Sequence, residues 1–337
     1  MRRRLVVPVA LLALVLAVPA IAAKAKSSSW ADAEIRQVGG DPVSFRADET
    51  VTRGELAELL ASVTGQEQAP IAKPDVPLTI QDLDARLVVA LGLKDTATRF
   101  AQAAKDAGLA PPARYGTEVV ARLLGLRKNH PQTKDVLERL PTEPASRAEA
   151  AFSAAQLLRL DEWKTESVRA QADAFALPTL DAWQRRILST AVKLIGYPYV
   201  WGGTSDRPQA PFGVTVPGGY DCSGFVWRVY KLQAYSGSRT LSSTLRGRTT
   251  YTMSAEVPPA KRIAFDALRP ADLVFFGGKG PRSKPAQIDH MGIYLGGGWM
   301  IHSSRYGVAL AALDGWYRRS FAWGRRPLAE AGLVPNA

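Results

Sequence analysis

The stretch Tyr220-Asp221-Cys222-Ser223-Gly224-Phe225 decides how the rest of this 337-residue chain is read. It holds the only cysteine, set between a glycine-rich loop (Gly202-Gly203 to Gly218-Gly219) and an apolar-periodic segment. Phe225, Val226, Val229 and Tyr230 fall at helical spacing, and Asp221 has the chemistry of an N-cap. A thiol in the first turn of a helix meets unpaired backbone N–H groups and the positive end of the dipole, which favour thiolate. A lone cysteine is more often a small buried apolar residue. Its neighbourhood along the chain has to outweigh that reading.

Outward from this stretch, Tyr197-Pro198-Tyr199-Val200-Trp201-Gly202-Gly203 follows a helix expected over Asp181 to Ile195. Ala271-Asp272-Leu273-Val274-Phe275-Phe276 reads as a buried strand. Asp289 to Leu295, a Gly296-Gly297-Gly298 turn and Trp299-Met300-Ile301-His302 read as a hairpin. If the three glycines form the loop, residue 295 pairs with 299 and 292 with 302. His290 is then the diagonal neighbour of His302 on one face, whereas a two-residue loop would separate them. Two of the chain's three histidines lie here. With Cys222 they supply nucleophile, base and orienter, the set that thiol catalysis needs. The Cys222 N–H and the Tyr199 hydroxyl are candidate oxyanion donors. A Cys-His-His zinc site uses the same residue types, without a paired-ligand spacing. The third histidine, His130, is expected at the surface beside Pro131.

The ordered motifs Pro-Tyr-Val-Trp-Gly-Gly, Asp-Cys-Ser-Gly-Phe, Ala-Asp-Leu-Val-Phe-Phe, Asp-His-Met-Gly-Ile-Tyr and Ile-His-Ser over about residues 181–328 resemble the NlpC-type cysteine peptidases. The resemblance implies a small papain-like α+β fold, with the cysteine on a helical part packed against an antiparallel sheet carrying the histidines. It implies hydrolysis of γ-D-glutamyl–diamino acid bonds in peptidoglycan stem peptides, without a cofactor or metal. Cys222 is then nucleophile, His290 base and His302 the third polar residue. Tyr199, Asp221 and Ser223 match positions that line the substrate site and in some members hold a free N-terminal amine. Two departures stand out: Ala271 where the family usually has Gly, and a longer loop from Thr204 to Tyr220 with three prolines, expected to be an ordered flap.

The remaining chain sets the context. Arg2-Arg3-Arg4, the apolar run Leu5 to Val18 and Ala20-Ile21-Ala22 read as a signal peptide over residues 1–22, so the protein is expected to be secreted or cell-wall associated, with no stable membrane span after its removal. An unpaired cysteine in an exported chain points to a reactive group or an intermolecular bridge. Residues 24–180 carry a net charge of −2 and residues 181–337 of +11. The basic C-terminal half suits an anionic partner, and wall polymers fit an exported protein better than nucleic acid, for which no motif is present.

Residues 24–178 read as short helices split by Pro and Gly, with a peptidase domain over 179–330 and a bridge over Thr165 to Pro178. Thr52-Arg53-Gly54-Glu55 and Ser146-Arg147-Ala148-Glu149 are capping boxes, and Thr79-Ile80-Gln81-Asp82 is a looser third start. Phe45 to Glu55 and Leu140 to Leu158 resemble parts of S-layer-homology repeats, which implies attachment to anionic cell-wall polymers. A plain helical spacer or lid is the alternative role for this half.

Overall fold

The computed structural model describes residues 29–66, 70–130, 138–211, 213, 215–238 and 240–334. The expected signal peptide lies outside the described residues. Eight helices come first: α1 (Asp32–Gln37), α2 (Arg53–Thr64), α3 (Ile80–Ala90), α4 (Lys94–Asp106), α5 (Tyr115–Leu123), α6 (Arg147–Leu157), α7 (Glu162–Ala174) and α8 (Ala182–Lys193). The short strands β1 (Thr204–Ser205) and β2 (Gly219–Tyr220) lead into α9 (Cys222–Trp227). Two further short helices, α10 (Leu241–Thr244) and α11 (Thr250–Ala255), precede the main sheet. Its strands are β3 (Leu273–Gly277), β4 (Ile288–Gly296), β5 (Trp299–Ser304), β6 (Gly307–Ala312) and β7 (Phe321–Arg325), with α12 (Gly315–Ser320) before β7 and α13 (Pro327–Glu330) after it. All pairings are antiparallel, in the order β6-β5-β4-β3-β7. The fold is α+β, as expected. Among the described residues no helix is long and apolar enough to cross a membrane.

The three helix starts singled out above meet in space. Val51 N–H donates to the Ala145 carbonyl, Ala145 N–H to Leu78, and Leu78 N–H to Val51, closing a three-way ring one residue before the caps Thr52, Thr79 and Ser146. Two of the caps differ from expectation. The looser start is a full box, because Asp82 is long enough to accept from Thr79 N–H at 3.2 Å while its own N–H donates to the Thr79 hydroxyl. The Ser146 box is half made: Ser146 accepts from Glu149 N–H at 3.2 Å, yet the Glu149 carboxylate turns away to Arg127 and His130. A buried guanidinium is a stronger partner for a carboxylate than a cap N–H.

His130 is therefore not a surface residue. It is buried, stacks on Trp30 with ring centroids 3.6 Å apart and reaches Glu149 at 3.3 Å. The bridge is also shorter than expected, since α7 occupies most of it and packs on α4. One contiguous apolar core runs from Val51 through Leu188, Phe225 and Ile293 to Leu328, so the helical and sheet halves share an interior. Helix α5 packs on the edge strand β6, whose outer backbone is partly paired with Gly196 and Tyr197.

The strand expected at Ala271 starts at Leu273 and is wholly buried. Ala271 precedes it with φ of 71°, a left-handed conformation suited to glycine, while its N–H donates to the Tyr294 carbonyl at 2.8 Å. The loop before Cys222 is a stapled flap. Gln209 and Val216 exchange backbone hydrogen bonds, and the Gln209 amide donates to the Ser205 and Gly219 carbonyls and accepts from Thr204 N–H.

Candidate active site

Asp221 starts α9 as expected, accepting from Gly224 N–H, and thereby sets Cys222 at the first helical position. α9 packs across β4 and β5, which carry the two histidines. Backbone N–H groups of Ser223, Met291 and Cys222 itself face the sulfur. Met291 directly follows His290, so the strand that supplies the imidazole also touches the thiol. Cys222 and His290 line one open cleft of about 1060 Å³ with Tyr199, Trp201, Arg248 and Arg305.

The histidine pairing depends on a bulge. Gly292 pairs with His302 as expected, but Gly296 rather than Leu295 pairs with Trp299, leaving two loop residues. A two-residue loop alone would split the histidines between faces. The register shift between Tyr294 and Gly296 adds back the missing residue and returns both rings to one side. His290 Nε2 lies 2.8 Å from His302 Nδ1, and His302 Nε2 lies 3.4 Å from the Tyr317 hydroxyl.

The proton order follows from these contacts. For His290 Nδ1 to accept a proton, Nε2 must carry one and donate it to His302 Nδ1. His302 is then protonated on Nε2 and faces the Tyr317 oxygen. Tyr317, on α12, was missed in the sequence because nothing sets it apart from the other tyrosines. Its place is fixed only when α12 folds over β3.

Electrostatics correct one expectation. Burial first, and then the Asp221 carboxylate, push the Cys222 thiol up to about 12, outweighing the N–H groups that pull it down. Burial lowers His290 to about 4, and burial together with His290 drives His302 well below the usual imidazole range. At neutral pH the resting thiol and both imidazoles are uncharged. The helix N-terminus does not by itself produce a thiolate.

Asp221 is a junction. It accepts from Gly202 N–H at 2.8 Å and from the Ser223 hydroxyl at 3.0 Å, and pairs with Arg248 at 3.3 Å. Arg248 also donates to Ser223 Oγ at 2.7 Å and to the Gly202 carbonyl at 3.0 Å. The Asp and Ser expected to line the substrate site are thus tied to an arginine that carried no sequence signal. Tyr199 lies close enough to Cys222 and Asp221 for both to raise its hydroxyl pKa, after burial, which acts most strongly. Among the described residues, no group of three or more His, Cys, Asp or Glu is placed to hold a metal ion, and no residue before Tyr199 lines the cleft.

A thiol at a helix start, sharing a cleft with an imidazole that is itself bonded to a second imidazole, defines the thiol-hydrolase class of site. Residues 196–326, rather more than a third of the chain, match the NlpC/P60 family. The chain is 30% identical over 146 residues to the gamma-D-glutamyl-L-lysine dipeptidyl-peptidase of Bacillus subtilis, covering 42% of this chain and 40% of that protein. It is 31% identical over 150 residues to the murein DD-endopeptidase MepH of Escherichia coli, covering 43% of this chain and 46% of that one. The crystal structure of an NlpC/P60 family protein from Bacillus cereus aligns with a TM-score of 0.33 at 26% identity, over 46% of this chain and 43% of that one. The matched segment spans less than half the length of these relatives.

Proposed function

We propose that the protein is an extracytoplasmic cysteine endopeptidase that hydrolyses amide bonds of peptidoglycan stem peptides, at the γ-D-glutamyl–diamino acid bond. The observation that carries this reading is that Cys222 shares one cleft with His290, which is itself bonded to His302 behind it. As Sγ attacks the scissile carbonyl carbon, its proton passes to His290 Nδ1. The Nε2–H bond to His302 keeps the imidazolium oriented. The oxyanion takes hydrogen bonds from Cys222 N–H and the Tyr199 hydroxyl. Collapse breaks the C–N bond, and His290 returns the proton to the departing amine. Water activated by the same nitrogen then hydrolyses the thioester. Relatives named for peptidoglycan endopeptidase and γ-D-glutamyl-L-lysine peptidase activity support the substrate class.

The helical half supports a second, compatible reading, attachment to an anionic wall polymer. Arg53 and Arg86 face one groove of about 360 Å³ between α2 and α3. Neither has a carboxylate ion-pair partner among the described residues. Burial and then the nearby Arg53 lower the Arg86 pKa, and Asp82, which lines the same groove, opposes them in part.

One preparation tests both. Purified peptidoglycan, with and without its anionic polymers, is incubated with the wild type and with Cys222→Ala, then analysed by mass spectrometry and by pelleting. The wild type is expected to release fragments cut at the γ-D-glutamyl amide, and Cys222→Ala none, while both pellet with polymer-bearing wall. Release by Cys222→Ala overturns the thiol mechanism. Products cut at another amide replace the endopeptidase reading by an amidase or acyltransferase. Equal pelleting with stripped wall removes the polymer reading.

A further inference from the structure

Two backbone stretches run up to one end of the cleft, which they line with Tyr199, Ser304 and Arg305. One runs from Gly196 to Tyr199, the other from Ser304 to Val308. Where they are adjacent they bond directly: Gly196 N–H donates to the Val308 carbonyl at 3.0 Å and Val308 N–H to the Tyr197 carbonyl at 2.8 Å. Toward the cleft they part, and no direct bond joins Tyr199 to Arg305 among the described residues. Asn129, from the helical half, stands in the gap. Its backbone N–H donates to the Arg305 carbonyl at 2.7 Å, and its side-chain Nδ2 donates to the Tyr199 carbonyl at 2.9 Å. Further from the cleft, Arg122 makes the same kind of tie, donating to the carbonyls of Gly196 and Tyr306.

Asn129 has firm backing. Arg127, two residues earlier, is locked in buried ion pairs, and His130, one residue later, is stacked on Trp30. Its own amide is poorly satisfied, since Oδ1 is buried with no hydrogen-bond donor among the described residues. A buried acceptor without a partner costs stability. The side chain therefore returns little to the fold beyond its one bond to Tyr199, whose hydroxyl faces the thiol region.

We infer that Asn129 is a positioning residue for the reaction: the helical half sets the separation of the cleft walls and the placement of Tyr199 through this one amide. The inference rests on the peptidase reading above for its kinetic form, and it makes the helical half a working part of the catalytic centre rather than a spacer.

The test is a double-mutant cycle on the full chain between Asn129→Ala and Tyr199→Phe, with thermal melting of each variant. Small displacements at a reacting centre cost up to about a hundredfold in rate. Asn129→Ala is expected to lower kcat by about tenfold to a hundredfold, with KM and melting temperature little changed. In the Tyr199→Phe background the same change is expected to cost almost nothing more, because the backbone bond then positions a ring without the hydroxyl that acts. Asn129→Asp, which sets an acceptor against the Tyr199 carbonyl, should match Asn129→Ala. Multiplicative losses, or an unchanged kcat in Asn129→Ala, overturn the inference. If Asn129→Ala does not fold, Asn129→Ser replaces it in the cycle. Alkylation of Cys222 by iodoacetamide needs no peptide substrate and separates the two claims. If the wild type cleaves no stem peptide, the peptidase reading fails, while matched, non-additive changes in alkylation rate for the two variants still uphold the Asn129–Tyr199 link, and independent changes overturn it.

Discussion

Two of the polar clusters buried among the described residues are built on opposite principles. In the helical half, Arg122 and Arg127 lie among Asp84, Glu118, Glu138 and Glu149, all with side chains at most 1% exposed. In the sheet half, Cys222, His290, His302 and Tyr317 form a line of neutral groups ending at an open cleft. The first cluster is charged and closed, and the second is uncharged, with Cys222 and His290 on the main cleft and His302 and Tyr317 on a smaller cavity. Charges sealed from water fix a geometry, because any movement exposes an unpaired ion to a low dielectric. Neutral groups in a row hold their places while leaving a proton free to move.

Within the charged cluster the carboxylates do not behave alike. Burial raises Glu149, but Arg127 and His130 outweigh it and hold the carboxyl at about 2. Burial, and next the charge of Glu118, keep Asp84 well above the ordinary range. Four acids around two guanidiniums are tolerable because the protons stay on the worst-placed of them.

The largest expected effect breaks the closed cluster. Arg127→Ala removes the ion-pair partner shared by Asp84, Glu138 and Glu149 and should cost about 3–5 kcal/mol of stability, read as a fall in the denaturation midpoint. A midpoint unchanged within error would mean that the cluster holds nothing in place. Next comes pH, which sharpens the contrast. His290 stays an unprotonated base until pH falls to about 4, so kcat/KM should hold across mildly acid pH and drop there, instead of near 6.5. The stability linkage has the same direction. An imidazole with its folded pKa lowered is protonated first in the unfolded chain, so stability is lost as pH falls from 6.5 toward 4. An acid limb at 6.5 would show that the imidazole is solvated in the working enzyme. The smallest effect belongs to Tyr317→Phe, which removes only the far end of the neutral line. At 3.4 Å this contact is weak, and loss of a bond of that kind should lower kcat by less than about tenfold. A loss as large as that from His302→Ala would move Tyr317 into the reacting set.

The sheet half was legible because its signals are local. Asp221 caps α9 from its own position, and the spacing of His290 from His302 fixes a shared face once the turn is known. The bulge at Leu295 was not legible, since glycines alone do not say how many of them leave the ladder. The helical half was legible only in pieces. Thr52, Thr79 and Ser146 announce helix starts, but nothing in those residues states that Val51, Leu78 and Ala145 bond to one another. His130 was misread for a similar reason: its partners Trp30 and Glu149 lie far from it in sequence. Arg248, Asn129 and Tyr317 act through contacts made by distant segments, and no short-range pattern encodes them.

The three-way ring has a consequence for how the chain is born. Its third member, Ala145, is made long after Val51, so α2 and α3 have no closed hub until most of the helical half has been synthesised. Gly196 and Tyr306, which dock on Arg122, follow later still. Every residue of the ring thus precedes the nucleophile in the chain, and truncation before residue 145 removes the keystone of that hub along with the helices beyond it.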